Sequence, residues 1–120
     1  MKKVFYLKSC STNKRIMSVL DLSSWELREI KSTPVTIKEL EEMHERSGSF
    51  RALFSRKSGQ IKIRGIDSSS LEEKDYRALI LDHYSFLKRP VFLTKSDIFI
   101  GSDKDNLARL YEYFDRSQKG

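Results

Sequence analysis

The sequence predicts an α/β fold with a four-stranded mixed sheet, made of a βαβ unit and a ββα unit with a helical insertion between them. Three observations predict it. A strand-forming run near the N-terminus leads into a helical stripe, the middle of the chain carries helical spacing, and two apolar runs near the C-terminus precede a last helix. With 120 residues and 38% apolar residues, the chain has the length of one domain and enough apolar side chains for one core. We therefore expect a single domain over residues 1–120, with the helical insertion at about 36–84.

The βαβ unit is predicted from the first 30 residues. Residues 3–7 are too short a run for a helix and rich in strand formers, and a polar cluster follows at residues 9–13. The run from Trp25 to Ile30 partly alternates between apolar and polar side chains, which predicts a second strand. Between them, apolar residues with the i, i+3, i+4 spacing of a helix face predict a helix: Ile16, Val19 and Leu20. A strand, a helix and a strand in this order predict a parallel strand pair.

The insertion opens with a predicted helix. Thr36 and Glu39 have the spacing of a capping box, and Gly48 marks the helix end. Its apolar face is predicted to consist of Ile37, Leu40 and Met43. Residues 49–54 predict a short further helix. Residues 55–67 are polar and basic and contain two glycines, so we expect irregular structure there.

A second long helix of the insertion and the ββα unit complete the chain. Ser70 and Glu73 are expected to cap a helix that runs to about His83, with an apolar face of Leu71, Tyr76, Leu79 and Ile80. Residues 91–93 and 98–100 are apolar runs around a short polar loop, which predicts an antiparallel hairpin. Ser102 and Asp105 are expected to cap the last helix, which carries Leu107, Leu110, Tyr111 and Phe114 at helical spacing. A βαβ unit followed by a ββα unit is the topology of a thioredoxin-like domain.

The charge balance points to anionic partners. Lys and Arg number 23 against 17 Asp and Glu, a net charge of +6, so the surface should attract nucleic acid, an acidic protein or small oxyanions. No segment approaches the roughly 20 apolar residues of a membrane span, and the N-terminus lacks the apolar region of a signal peptide. We expect a soluble cytoplasmic protein, acting as a monomer and not on a membrane.

Cys10 is the candidate nucleophile. As the single cysteine it cannot form an intramolecular disulfide, and together with His44 and His83 it does not make a metal-binding pattern. Its place between a strand and the first turn of a helix exposes it to unpaired backbone N–H groups and to the positive end of the helix dipole, which favour thiolate over thiol. The following residues could hold an anion or add positive charge: Ser11, Thr12, Asn13, Lys14 and Arg15. The alternative is that Cys10 is a small buried residue, as most free cysteines are.

Arg89 and Pro90 are a second feature. A proline directly before a strand fixes a turn, and a cis peptide bond there would be a device for placing Arg89. The alternative is an ordinary proline at a strand start beside a solvated arginine. The basic residues of the irregular segment, Arg56, Lys57, Lys62 and Arg64, are compatible with a solvated surface or with a patch for nucleic acid or a protein partner.

Three segments together resemble a known family. They are Phe5-Tyr6 followed by residues 9–15, residues 51–57 (Arg-Ala-Leu-Phe-Ser-Arg-Lys), and His83 followed by Lys-Arg-Pro-Val at residues 88–91. In this order and at these separations, they resemble the glutaredoxin-linked arsenate reductase (ArsC) family, which also contains the Spx regulators. The resemblance covers nearly the whole chain.

The resemblance implies a thioredoxin-like domain in which Cys10 attacks arsenate. It further implies that Arg51 and Arg89 contact the oxyanion and that Pro90 is the family's cis-proline. A planar, permanently charged guanidinium suits a tetrahedral oxyanion. Glutathione or a glutaredoxin-like protein would be the external thiol donor, and no bound cofactor or metal is implied.

Two positions depart from the family pattern. The reductases carry a third arginine after the last strand, where this sequence has Gly101, so the substrate stays open between arsenate and another anionic or glutathionylated compound. Spx regulators typically carry a second cysteine three residues after the first, where this sequence has Asn13. An internal disulfide switch is therefore excluded.

Electron counting adds a requirement that needs no family. Reducing an oxyanion or a disulfide by two electrons consumes two thiols, and this chain has one. The leading prediction is therefore an oxidoreductase that uses Cys10 and an external thiol. The alternatives are an Spx-like regulatory protein that binds RNA polymerase through its basic surface, without catalysis, and a thioredoxin-like domain that has lost its catalysis.

Overall fold

The computed structural model describes residues 1–119. Its four strands are β1 (Lys2–Tyr6), β2 (Glu26–Glu29), β3 (Val91–Thr94) and β4 (Ile98–Ile100). Its α-helices are α1 (Ser11–Ser18), α2 (Ile37–Ser47), α3 (Gly59–Ile63), α4 (Glu73–Asp82) and α5 (Lys104–Lys119). Short 3₁₀ helices cover Arg51–Leu53, Ser68–Ser70 and Tyr84–Phe86. The described residues form two compact units, one of residues 1–30 with 89–119 and one of residues 31–88.

The first unit holds the whole sheet, whose strand order is β2-β1-β3-β4. Strands β1 and β2 are parallel, while β3 is antiparallel to both β1 and β4. The predicted mixed sheet, with a βαβ unit and a C-terminal ββα unit, is therefore confirmed. In this arrangement β1 and β2 end at the same edge of the sheet at which β3 begins.

An aromatic core joins the sheet to α1 and α5. The Trp25 ring stacks on Phe114 at a centroid distance of 5.3 Å and meets Phe92 edge-on at 5.5 Å. The other buried members of this core are Val4, Ile16, Phe99 and Leu110. Burial of these apolar side chains holds α1 and α5 on the sheet. Helix α1, which begins directly after Cys10, is thus anchored through Ile16, which is 1% exposed.

The second unit is helical and has its own buried residues. The Phe54 and Phe86 rings stack at 5.5 Å, and Phe54 also forms an isolated antiparallel bridge with Leu87. Other buried apolar residues of the unit are Leu40, Met43, Phe50, Leu53, Tyr76 and Ile80. Helix α2 begins with the predicted capping box of Thr36 and Glu39, and it ends at Gly48, whose φ of 82° is the left-handed conformation common after helices.

Several details differ from the sequence prediction. Helix α1 ends at Ser18, so Val19 lies beyond the helix and is 69% exposed instead of buried. Ile37, the first residue of α2, is also exposed, because the first turn of a helix can extend past the surface it packs on. Residues 55–67 are not wholly irregular: Ser58 caps the short helix α3, with its side chain accepting from the Gln60 N–H. No helix within residues 1–119 is long and apolar enough to cross a membrane.

The caps predicted for two helices are also wrong. Helix α4 is capped by Glu72 with Asp75, not by Ser70 with Glu73, and Ser70 instead ends the preceding 3₁₀ helix. At α5, the Asp103 carboxylate accepts from the Asn106 N–H at 3.2 Å, so Asp103 takes the capping role predicted for Ser102. Neighbouring Ser, Asp and Glu residues have similar capping chemistry, and the sequence alone does not choose among them.

Candidate active site

Cys10 is the N-cap residue of α1. Its backbone is extended (φ −90°, ψ 114°), its side chain makes no capping hydrogen bond, and the residue is half-buried. The first N–H groups of an α-helix have no partner within the helix. The backbone N–H groups of Ser11, Thr12 and Asn13 therefore lie in the turn directly after the thiol, as the sequence predicted. Such a turn can stabilise a thiolate or hold an oxyanion.

Hydrogen bonds to side chains hold the segment in front of Cys10. The Leu7 N–H donates to Asn13 Oδ1 at 2.8 Å, and the Lys8 N–H donates to Glu29 Oε2 at 2.9 Å. Asn13 is 1% exposed, so its side chain is committed to the interior of this turn. Of the groups of Asn13, the backbone N–H is the one that could contribute to anion binding.

The register of the sheet places Arg89 and Pro90 at the same edge as the Cys10 turn. Phe5 pairs with Val91 across the antiparallel strands, so the residues before Val91 lie beside the residues after Phe5. The peptide bond between Arg89 and Pro90 is cis, Pro90 is buried and Arg89 is half-buried. The first unit thus brings Cys10 and Arg89 to one edge of the sheet through the pairing of β1 with β3.

Gly101 closes the same edge on the β4 side. Its N–H donates to the Pro90 carbonyl at 2.8 Å, and its φ is 84°. The Asn106 side chain locks this turn, because it accepts from the Ile100 N–H at 3.1 Å and donates to the Gly101 carbonyl at 2.9 Å. At the position of the family's third arginine, this chain has a buried turn whose residue carries no side chain.

Arg51 belongs to the second unit, whereas Cys10 and Arg89 belong to the first. It is exposed and begins a 3₁₀ helix whose start is held by Glu73: the carboxylate accepts from the Phe50 N–H at 2.7 Å and from the Arg51 N–H at 3.0 Å. This carboxylate fixes the backbone from which the guanidinium extends. The convergence of Arg51 on Cys10 stays a prediction.

The remaining candidates lie on the first turn of α1. Ser11 and Lys14 are exposed and Thr12 is half-buried, so a ligand in solvent can reach all three. Lys14 also continues the helix backbone, since its N–H donates to the Cys10 carbonyl at 3.1 Å. Their role in binding an anion stays a prediction.

The two histidines have structural surroundings. His44 stacks on Phe50 at a centroid distance of 4.1 Å, and His83 Nδ1 accepts from the Ser85 N–H at 3.1 Å. Within residues 1–119, no three His, Cys, Asp or Glu side chains are grouped as a metal ion would require.

The sequence predicts no role for Glu29 or for Asn106. Both hold turns at the Cys10 edge of the sheet, yet neither stands in a motif. Glu29 is the last residue of a short polar strand, and only the parallel pairing of Tyr6 with Glu29 brings it beside the turn after β1. Asn106 follows a helix start, where an asparagine has many local roles.

Comparison with known proteins adds an independent line of evidence. The model of the ArsC family matches residues 5–110 of this chain. A comparison with curated proteins gave no match.

Among solved structures, the fold matches an arsenate reductase of Vibrio cholerae with a TM-score of 0.71 and 15% identity, over 92% of this chain and 95% of that one. It matches an arsenate reductase (ArsC) related protein of Brucella melitensis with a TM-score of 0.66 and 19% identity, over 94% and 93% of the two chains. At such identities these structures show a shared thioredoxin-like ArsC fold and nothing finer.

Proposed function

Since this chain belongs to the ArsC family, as the match over residues 5–110 shows, we propose that it is a thiol-dependent oxidoreductase with Cys10 as its nucleophile. Its substrate is arsenate or another anionic or glutathionylated compound. Arg51 and Arg89 orient the anion, and the backbone N–H groups of residues 11–13 stabilise the charge that develops in the reaction.

One observation carries the proposal. Cys10 is the N-cap of α1, with a half-buried side chain that makes no capping hydrogen bond, at the sheet edge where β3 begins after Arg89 and Pro90. N–H groups without a partner in the helix stabilise a thiolate. They would give no advantage to a cysteine that served only as a small apolar residue. A permanently charged arginine at the same edge supports the binding of an anionic substrate.

The chemistry balances with two external thiols. With arsenate, the Cys10 thiolate attacks the arsenic atom, an S–As bond forms and one oxygen leaves as water. A first external thiol then attacks the Cys10 sulfur and forms a mixed disulfide with it. The S–As bond breaks and its electron pair stays on arsenic, which is thereby reduced from As(V) to As(III) and leaves as arsenite. A second external thiol resolves that disulfide and restores the Cys10 thiol. Glutathione, or a glutaredoxin-like protein acting with it, is the donor we propose.

The test is the alkylation of Cys10 by iodoacetamide as a function of pH, with and without arsenate, in the wild type, Arg51→Ala and Arg89→Ala. We expect the wild-type thiol to react with a midpoint below the ordinary value of about 8.5 for cysteine, and arsenate to protect it. Both arginine variants should raise the midpoint and weaken the protection. Arg109→Ala is the matched control, because Arg109 is an exposed arginine of α5 over the Phe99 ring. A wild-type midpoint near that of free cysteine, with no protection, would contradict the enzyme proposal.

The regulatory alternative has one observation in its favour. Arg56, Lys57 and Lys62 are exposed in the second unit and form a basic segment. A pull-down with RNA polymerase tests this alternative. Association that survives Cys10→Ser and is lost on replacing Lys57 and Lys62 by glutamate would favour the regulatory protein over the enzyme.

A further inference from the structure

The peptide group between Leu7 and Lys8 is hydrogen-bonded at both ends. Its N–H, that of Lys8, donates to Glu29 Oε2 at 2.9 Å, and its carbonyl, that of Leu7, accepts from the backbone N–H of Cys10 at 3.0 Å. A single rigid peptide plane therefore connects the Glu29 carboxylate to the backbone of the nucleophile.

The neighbouring peptide group is held in the same way. The Tyr6 carbonyl accepts from the Ile30 N–H at 3.0 Å, and the Leu7 N–H donates to Asn13 Oδ1 at 2.8 Å. Both planes between Tyr6 and Lys8 are thus fixed: Ile30 and Asn13 hold the first, and Glu29 and Cys10 hold the second. The conformation of the turn that precedes the thiol depends on these four hydrogen bonds.

We propose that Glu29 is a positioning residue for Cys10, acting through the Leu7–Lys8 peptide group to hold the thiol in front of the first N–H groups of α1. This inference rests on the proposed function, because it assigns Glu29 a role in the reactivity of the Cys10 thiolate. In this role Glu29 acts through the backbone and requires no contact with the substrate. A hydrogen bond to a carboxylate is stronger than one between neutral groups and polarises the peptide it joins, which strengthens the bond from Cys10 on the other side.

Charge and position predict opposite effects for Glu29. As a negative charge near the turn, Glu29 by itself disfavours a thiolate, so removing the charge should make the thiol react at lower pH. As a positioning residue, it favours the thiolate by keeping the turn aligned with the helix N-terminus, so removing the acceptor should make the thiol react at higher pH. The sign of the change therefore identifies the role.

The experiment compares the pH midpoint of iodoacetamide alkylation in the wild type, Glu29→Ala and Glu29→Gln. We expect Glu29→Ala to raise the alkylation midpoint by about half a pH unit or more. In reactive cysteines, contacts at a helix N-terminus lower the thiol pKa by at least that amount. Glu29→Gln keeps an oxygen acceptor without the charge. Its alkylation midpoint should therefore equal the wild-type midpoint or lie below it. Glu26→Ala is the matched control, because it removes an exposed carboxylate of the same strand.

Amide hydrogen exchange of Lys8 and Cys10, followed by NMR, measures the hydrogen bonds themselves. Glu29→Asp serves if Glu29→Ala does not fold, since it keeps the charge and shortens the side chain by one methylene. We expect faster exchange at Lys8 and Cys10 and a raised alkylation midpoint in Glu29→Asp. Unchanged exchange in a folded variant, with a midpoint equal to that of the wild type, would refute the positioning role.

Three results overturn the inference in distinguishable ways. Equal lowering of the midpoint in Glu29→Ala and Glu29→Gln would assign Glu29 a purely electrostatic effect. A lower melting temperature with an unchanged midpoint would assign it a purely structural one. A wild-type midpoint near that of free cysteine would remove the proposed function itself, and the positioning role with it, before any variant is compared.

Discussion

Individual side chains shape the turns that surround Cys10. Asn13 is nearly fully buried and supplies the acceptor for the Leu7 N–H, while Asn106 holds the Gly101 turn through two hydrogen bonds. A buried N–H without an acceptor costs free energy that a new apolar contact does not return. Both asparagines thus matter through the backbone groups that they satisfy.

Replacing Asn13 with alanine should leave the Leu7 N–H without its acceptor. We expect a loss of about 1–3 kcal/mol in the free energy of unfolding, measured by urea denaturation. Lys14→Ala, an exposed change on the same helix, should alter it by less than about 0.5 kcal/mol. Equal stability of Asn13→Ala and Lys14→Ala would mean that water or another group replaces the Asn13 oxygen.

Introducing the arginine that the family's reductases carry should be costly at Gly101. Its φ of 84° lies in the left-handed region, where a side chain costs about 1–2 kcal/mol, and the residue is buried. We expect Gly101→Arg to lower the melting temperature, measured by circular dichroism, whereas Ser102→Arg at the exposed next position should have little effect. A Gly101→Arg variant as stable as the wild type would show that this turn adapts to a side chain.

At the scale of elements, helices begin at residues whose side chains can cap them, but the sequence does not always reveal which residue does so. Helix α2 has the predicted reciprocal pair, in which the Thr36 hydroxyl accepts from the Glu39 N–H and the Glu39 carboxylate accepts from the Thr36 N–H, both at 3.0 Å. At the start of α4 the residues are acidic, and the Asp75 carboxylate accepts from the Glu72 N–H at 2.8 Å. A carboxylate at a helix start also interacts favourably with the helix dipole, which favours acidic residues at this position.

Removing the cap of α2 should destabilise the second unit. Thr36→Ala removes the hydroxyl acceptor of the Glu39 N–H, and we expect a loss of about 1 kcal/mol in the free energy of unfolding, measured by urea denaturation. Thr36→Ser keeps the hydroxyl and should retain most of the stability. If serine were no better than alanine, the threonine methyl group and not its hydrogen bond would be the stabilising part.

Asp67 should titrate at unusually low pH. The hydroxyl and the N–H of Ser69 donate to its carboxylate, and these hydrogen bonds lower the pKa of Asp67 below its ordinary value of 3.8. Because the folded-state pKa is the lower one, this stabilisation is present above pH of about 4 and is lost as the pH falls through the folded-state value. NMR titration of the carboxyl carbon should show the low pKa in the wild type and a higher one in Ser69→Ala. An identical pKa in both would exclude the hydroxyl as its cause.

At the scale of the whole molecule, each compact unit has its own buried residues. The first unit packs α1 and α5 on the sheet around Trp25 and Phe92, and the second packs its helices around Phe54 and Phe86. The fold thus holds the Cys10 turn and Arg89 at one sheet edge by a core that contains neither.

Truncating this core should cost more than truncating the surface. Leu110 of α5 is fully buried, so Leu110→Ala should lower the free energy of unfolding by about 2–5 kcal/mol. Leu27 is 52% exposed, and Leu27→Ala should cost less than about 1 kcal/mol. Both are measured through the fluorescence of Trp25, which lies in the same core. Similar losses for the two leucines would contradict this assignment of the core.

The sequence by itself determined the order of the strands and of the longer helices, the C-terminal hairpin, the α2 capping box and the place of Cys10 between a strand and a helix. Each of these depends on neighbouring residues, because apolar periodicity and capping act within a few residues of chain. The tertiary structure alone decided that Glu29 and Asn13 hold the turn before Cys10 and that Gly101 lies at a locked turn. Glu29 is 21 residues from Lys8 in sequence. Such contacts depend on strand register and side-chain direction, which no local pattern of residues encodes.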